Sequence, residues 1–223
     1  MEIQDFSYQL PDGRQLFQHL SAVFDTGKIN ILLGVNGVGK TTLLDFIAGV
    51  SERRDLPFVG FPTMHQVAYQ MQDAPFTGSA TVADTLKMMV GLDRPDEHFS
   101  ENQLPASLQE IAHSHFRDLS GGQRQLVILE GVCQLQRELY LFDEPESGLD
   151  VKVAVSVLDR IQQLTADGKT VIMTTHHFRN LPTENVKVLV LAGKRIAFSG
   201  TPNELMVQTG TSSFEEAYLK TDA

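Results

Sequence analysis

The residues best suited to chemistry open with GVNGVGKTT at positions 34–42. Gly34, Gly39, Lys40 and Thr41 fall at the spacing of a phosphate-cradling loop, with a further glycine at Gly37. Glycines without a Cβ let backbone N–H groups converge on a polyphosphate, and a helix starting near Lys40 turns its positive dipole end toward it. Lys40 offers a point charge to the β and γ phosphates, and the Thr41 hydroxyl offers an oxygen ligand to Mg²⁺. The plain alternative is a glycine-rich strand-to-helix turn that binds nothing.

Two more groups of polar residues stand at the ends of apolar runs. ELYLFDE, residues 138–144, closes on Asp143 and Glu144; TVIMTT, residues 170–175, closes on His176 and His177. In an open α/β sheet the ligand crevice lies beyond the carboxyl ends of the strands, so these groups belong where the glycine-rich loop opens. Asp143 suits Mg²⁺ binding and Glu144 suits activation of a water. LSGGQ, residues 119–123, places a serine cap and two glycines at a helix start, leaving N–H donors for an anion. A capped helix with a flexible entry is the bland reading of the same stretch.

These residues need a scaffold of parallel strands and helices, and the chain has one. KINILL, residues 28–33, reads as a buried parallel strand ahead of the loop, and TTLLDFIAGV, residues 41–50, as the helix after it. Upstream, Glu2–Tyr8 and His19–Phe24 read as antiparallel strands about a turn at Pro11-Asp12-Gly13, and residues 51–63 read as irregular. Downstream come a short strand at His65–Tyr69 and a helix capped near Thr81, with Asp84 three residues on. Residues 93–118 are polar, with an amphipathic piece over Leu108–Phe116. A helix follows over Val151–Ala166, then a hairpin around Gly193-Lys194, and short helices after Pro202. His98, His113 and His115 lack the partners of a metal site and read as solvated or packing residues.

At 223 residues the chain supports one sizeable core with an inserted subdomain. Its 42% hydrophobic and 21% charged content is that of a soluble globular protein. The formal net charge of −10 argues against nucleic acid as a partner, because a polyanion is repelled by such a surface. Cys133, the single cysteine, excludes an intrachain disulfide and reads as a core residue. No apolar run approaches the roughly 18 residues of a membrane span, and MEIQDFSYQL lacks a signal-peptide layout, so a cytosolic location is expected.

With GVNGVGKTT, LSGGQ, LFDEP, SGLD and TTHH in this order, the chain resembles the nucleotide-binding domain of an ATP-binding cassette (ABC) ATPase over nearly its whole length. The resemblance implies a phosphate-loop α/β core with a mostly parallel sheet, an antiparallel β portion and an inserted helical subdomain. Residues 1–223 would then be one domain, with 79–135 as the insertion. It implies ATP and Mg²⁺ as ligands. Tyr8, Gly34, Asn36, Gly37, Val38, Gly39, Lys40, Thr41 and Thr42 resemble its ATP-binding residues, with Phe6 competing with Tyr8 for the adenine ring. Gln72 resembles the glutamine that touches Mg²⁺ or water, with Gln70 competing; Thr41, Gln72 and Asp143 would hold the metal. Glu144 resembles the catalytic base and His176 the γ-phosphate sensor. Ser120, Gly121, Gly122 and Gln123 resemble the signature that acts on the opposing subunit, and Asp150 the subunit-communication aspartate. Leu126 and Gly131 depart from the pattern, which usually has arginine at both places.

The implied function is an ATP-hydrolysing subunit that powers a membrane transporter as a nucleotide-sandwich homo- or heterodimer. Its partners would be a second cassette subunit and separate transmembrane permease subunits, which would hold it on the cytoplasmic face of the membrane. A soluble cassette ATPase that remodels a cytosolic assembly is the alternative. The tail TSSFEEAYLKTDA resembles the ending of exporter cassettes, and so leans toward export.

Overall fold

The N-terminal strands, β1 (Glu2–Gln9) and β2 (Gln15–Val23), pair antiparallel across a turn in which Asp12 Oδ1 accepts from the Arg14 N–H at 2.9 Å. The computed structural model describes residues 1–51, 56–71, 78–96, 99–176 and 185–221. β2 starts at Gln15 rather than at the expected His19. The register of the pair shifts repeatedly, and Asp5 and His19 take φ of 52° and 50°. Irregularities of this kind break strict alternation, so Leu16 and Phe17 are both buried and a period-two reading misses the start of the strand.

Next come β3 (Ile29–Leu33), α1 (Lys40–Ala48) and β4 (Phe58–Val59). β4 falls in the stretch expected to be irregular; it pairs antiparallel with β1 and completes a sheet of order β2-β1-β4. Two residues carry no periodicity, and only the pairing reveals them. The chain continues through β5 (Val67–Gln70), α2 (Val82–Asp93), α3 (Ala106–Gln109), α4 (Gly121–Gln134) and β6 (Leu139–Asp143). It ends with α5 (Val151–Ala166), β7 (Thr170–Thr174), β8 (Val186–Ala192), β9 (Arg195–Gly200), α6 (Pro202–Thr209) and α7 (Phe214–Thr221). A six-stranded sheet has the order β5-β6-β7-β3-β8-β9, parallel except for the β8–β9 hairpin.

All five residues of each of β3, β6 and β7 are buried, as expected for strands covered on both faces. Ile29, Ile31, Tyr140, Phe142, Val171 and Met173 pack on one face with Leu129 of α4 and Val157 and Ile161 of α5. Leu32, Leu141, Ile172 and Leu189 pack on the other with Leu43, Leu44 and Ile47 of α1 and with Phe6, Phe17 and Leu20 of the small sheet. The small sheet therefore lies against the same face as α1, and its hairpin reaches the start of that helix.

A third cluster joins Val82 and Leu86 of α2, Leu108 of α3, Phe116, and Val127 and Ile128 of α4. Thr81 caps α2 by accepting from Asp84 N–H at 3.1 Å, and hydrogen bonds from Thr81 hold the Asp84 carboxyl below the usual range. Over the expected amphipathic piece, α3 stops at Gln109. Turns follow, then a 3-10 segment at Phe116–Asp118, as His115 bridges back to Thr81. His115 Nδ1 lies 3.0 Å from the Ser79 carbonyl and His113 lies 3.7 Å from Glu101; His98 falls outside the described residues. At Gly131 a Cβ would meet the flexible end of the Met89 side chain, with Sδ at 2.5 Å, where α2 packs beside α4. Burial pushes the Cys133 thiol up to about 12, which leaves it an unreactive core residue.

Candidate functional site

The loop from Gly34 to Gly39 joins β3 to α1 and opens at the carboxyl end of the parallel sheet. Two glycines in it are required by close approach. A Cβ on Gly34 would lie 2.6 Å from the Leu191 carbonyl oxygen; one on Gly39, whose φ is +114°, would lie 2.8 Å from the Phe17 ring. Gly39→Ala is accordingly expected to destabilise the fold by about 1–3 kcal/mol and to remove the Tm increase produced by ATP, as thermal unfolding with and without nucleotide will show. Lys40 is 6% exposed. Its ammonium donates to the Gly34 carbonyl at 2.7 Å and sits 3.4 Å from His176 Nε2.

The strand ends are cross-linked side chain by side chain. Asp143, 2% exposed, accepts from Thr41 Oγ1 through Oδ2 and from Thr174 Oγ1 through Oδ1, each at 2.6 Å. Thr174 Oγ1 in turn accepts from Glu144 N–H at 2.9 Å. Thr175 donates to Glu146, and both are buried. His176 Nε2 meets Glu144 Oε1 at 2.7 Å, so the imidazole N–H donates to that carboxylate while Lys40 donates to its loop carbonyl. The Thr174-Thr175-His176 run thus holds Asp143, Glu146 and Glu144 in turn. Glu144 takes the left-handed conformation, φ 50°, which turns its side chain out of the strand direction.

Asp45, one helical turn after Thr41, accepts from the Tyr69 hydroxyl at 3.1 Å. Burial raises its carboxyl above the usual range; the Tyr69 hydrogen bond opposes this, and the charge of Asp143 adds to it. Oxygens from Thr41 and Asp143 therefore converge at the loop, the hard donor type that Mg²⁺ takes, so the residues present fit that ion.

A cavity of about 400 Å³ is lined by Asn36, Gly37, Gly39, Lys40, Thr41, Thr42 and Glu144, together with Leu10, Arg14 and Leu16 from the first hairpin. Asn36, Gly37, Gly39, Lys40, Thr41, Thr42 and Glu144 are thus brought together; Gly34 and Val38 shape the loop from behind. Phe6 is 4% exposed and enclosed by the rings of Phe17, Phe46 and Phe58. Tyr8 is half-buried, its ring 4.7 Å from that of Phe46, and it stands outside the cavity lining. Gln72 and His177 lie outside the described residues. Gln70 is buried in β5, and among the described residues its amide has no hydrogen-bond partner.

Ser120 to Gln123 do not line this cavity. Ser120 and Gln123 form a reciprocal capping box at the start of α4, at 3.2 and 2.9 Å. A Cβ on Gly122 would meet Leu149 at 3.3 Å, which places the α4 start beside the SGLD loop. Asp150 caps α5, accepting from Lys152 and Val153 N–H at 3.0 and 3.1 Å. The sequence reading missed Arg14, Asp45, Thr174 and the Thr175–Glu146 pair. Only Asp45 had a signal, its spacing from Thr41 on one helix face.

The arrangement combines a polyphosphate cradle, a cation, hard oxygen donors and a carboxylate held by a histidine. The family profile described as ABC transporter matches residues 17–147, more than half of the chain. An energy-coupling factor transporter ATP-binding protein, EcfA of Methanosphaera stadtmanae, is 25% identical over 99% of this chain and 85% of its own length. The molybdate import ATP-binding protein MolC of Haemophilus influenzae is 28% identical over 96% of this chain and 87% of its own. A solved ATP-binding subunit of an ABC transporter shares the fold at a TM-score of 0.81 and 23% identity, covering 100% of this chain and 99% of that one. The chain belongs to the ABC transporter family, within which it is an ATP-binding, ATP-hydrolysing subunit.

Proposed function

We propose that this chain hydrolyses Mg²⁺-ATP in a site shared between two cassettes and passes the resulting association and release to a membrane-spanning partner. The observation that carries the reading is that Lys40, Thr41 and Glu144 line one cavity while Asp143 accepts from Thr41 and His176 meets Glu144, so that three strand ends are linked around it. The 34–42 loop receives the phosphates, and Lys40 exchanges the Gly34 carbonyl for the β and γ oxygens. Thr41 and Asp143 hold the metal, joined by Gln72 on the sequence reading; when bound, Mg²⁺ offsets charge on the phosphate oxygens. Tyr8 is the aromatic residue assigned to the adenine, since Phe6 is enclosed. Glu144 orients a water and takes its proton, and His176, released from Glu144, turns to the γ phosphate. Residues 79–135, with their own apolar cluster, act as the helical subdomain that carries the signature.

A shared site is supported by Ser120 to Gln123 standing outside the chain's own cavity. In a C2 dimer each signature faces the partner's loop, and Asp150 lies at the boundary. Names of relatives as transporter subunits favour transport over remodelling of a cytosolic assembly, with a peripheral position on the membrane through the spanning partner. No helix among the described residues is long and apolar enough to cross a membrane. The exporter-like tail and the molybdate import relative point in opposite directions, so the proposal stops at coupling to a spanning partner.

Ser120→Arg tests the shared site. The variant loses the Ser120 cap on α4, a cost of about 1 kcal/mol, so it is expected to fold with a lower Tm and bind ATP as a monomer but to lose turnover at every protein concentration. Mixed with Lys40→Ala, it should regain part of the rate, since one composite site then carries neither change. Normal ATPase activity in Ser120→Arg alone rules the shared site out.

A further inference from the structure

Arg14 lies in the turn between the first two strands, far in sequence from the glycine-rich loop, yet its side chain lines the same cavity as Asn36, Gly37 and Lys40. Its backbone is fixed from both sides: the N–H donates to Asp12 Oδ1 at 2.9 Å and the carbonyl accepts from Leu10 N–H at 2.9 Å. Asp12 is thereby used on the backbone rather than on the guanidinium. The guanidinium makes no ion pair or hydrogen bond among the described residues, in a chain with 28 acidic and 18 basic residues. An arginine with so many carboxylates available, left without one beside a phosphate cradle, is a vacant cation.

The strand after the turn explains how it arrives there. Leu16 approaches the start of α1 closely enough that a Cβ on Gly39 would meet Leu16 Cγ at 3.0 Å. Arg14 stands two residues before Leu16 at the end of the turn and lines the same cavity as the loop and Lys40. Lys40 is 6% exposed behind the loop. Among the described residues that line the cavity, Lys40 and Arg14 are the two cations, and Glu144 is the acid.

We propose that Arg14 is a nucleotide-binding residue, a second cation that pairs with the polyphosphate from the hairpin side while Lys40 holds it from the loop side. A guanidinium suits this place because its planar fork meets phosphate oxygens in pairs and stays charged at any working pH. The inference rests on the reading of the cavity as the ATP site. It adds a contact from the antiparallel sheet, so that nucleotide binding joins that sheet to α1.

Equilibrium binding of ATP, ADP and adenosine to Arg14→Ala, Arg14→Lys and Lys40→Ala, at low and moderate salt, decides the matter. Arg14→Ala is expected to weaken ATP and ADP about tenfold, with little change for adenosine and a flatter salt dependence. Arg14→Lys should recover most of the ATP affinity, and in turnover Arg14→Ala should raise KM more than it lowers kcat. Unchanged ATP affinity in Arg14→Ala, beside its loss in Lys40→Ala, overturns the role of Arg14 and leaves the ATP site standing. Equal losses of ATP and adenosine overturn it in favour of stacking on the base. Normal ATP binding in both alanine variants overturns the cavity as the ATP site.

Discussion

Glu144→Gln is expected to keep ATP bound while slowing single-turnover hydrolysis by roughly 10²–10⁴-fold. The amide preserves the size of the side chain and, through its oxygen, can still accept the His176 N–H that now meets Glu144 at 2.7 Å. What it loses is the capacity to take a proton from water. The backbone here sits at φ 50°, anchored by Thr174 through Glu144 N–H, and neither feature depends on the side-chain charge. The fold of the loop should therefore survive, and a fall in rate reports the chemistry. ATP then persists, and a dimer should accumulate on sizing in ATP and Mg²⁺. Removing a negative charge near the γ phosphate favours that dimer by itself, so the hydrolysis rate is the deciding readout. An unchanged rate removes Glu144 as the base.

Lys40→Ala is expected to weaken ATP binding by about 2–3 kcal/mol, the range for a charge-assisted hydrogen bond, or roughly 30- to 150-fold in Kd. The charge that disappears is buried, and its present partner is the Gly34 carbonyl at 2.7 Å. That carbonyl loses a donor in the variant, so a stability loss of its own is expected. Thermal unfolding without nucleotide isolates this loss, and isothermal titration with ATP measures the binding term. Near-normal affinity and turnover remove the 34–42 loop from the nucleotide site.

Much of the scaffold, and the place of several site residues at the ends of its strands, was legible in the sequence because each depended on a short, regular segment. The apolar runs before Gly34, Asp143 and Thr175 are buried on both faces and needed no partner to be recognised as strands. The caps at Thr81 and Ser120 are local hydrogen bonds, set by residues three apart. The sequence also determined that the polar residues at those strand ends share one crevice, since parallel strands end on the same side of a sheet.

Tertiary structure decided what depends on contacts between distant segments. β4 exists only by pairing with β1, and the early start of β2 is hidden by shifts of register that alternation cannot follow. The pairing of Thr174 with Asp143, Thr175 with Glu146 and His176 with Glu144 rests on the adjacency of β6 and β7, which a one-dimensional pattern does not specify. Arg14 belongs to the site because the hairpin folds over the start of α1 and brings Leu16 against Gly39. Spacing along a chain encodes hydrogen bonds within a turn or one strand. Which turn lies over which loop is set by the packing of the two sheet faces, where burial is non-directional and only the whole core selects the arrangement.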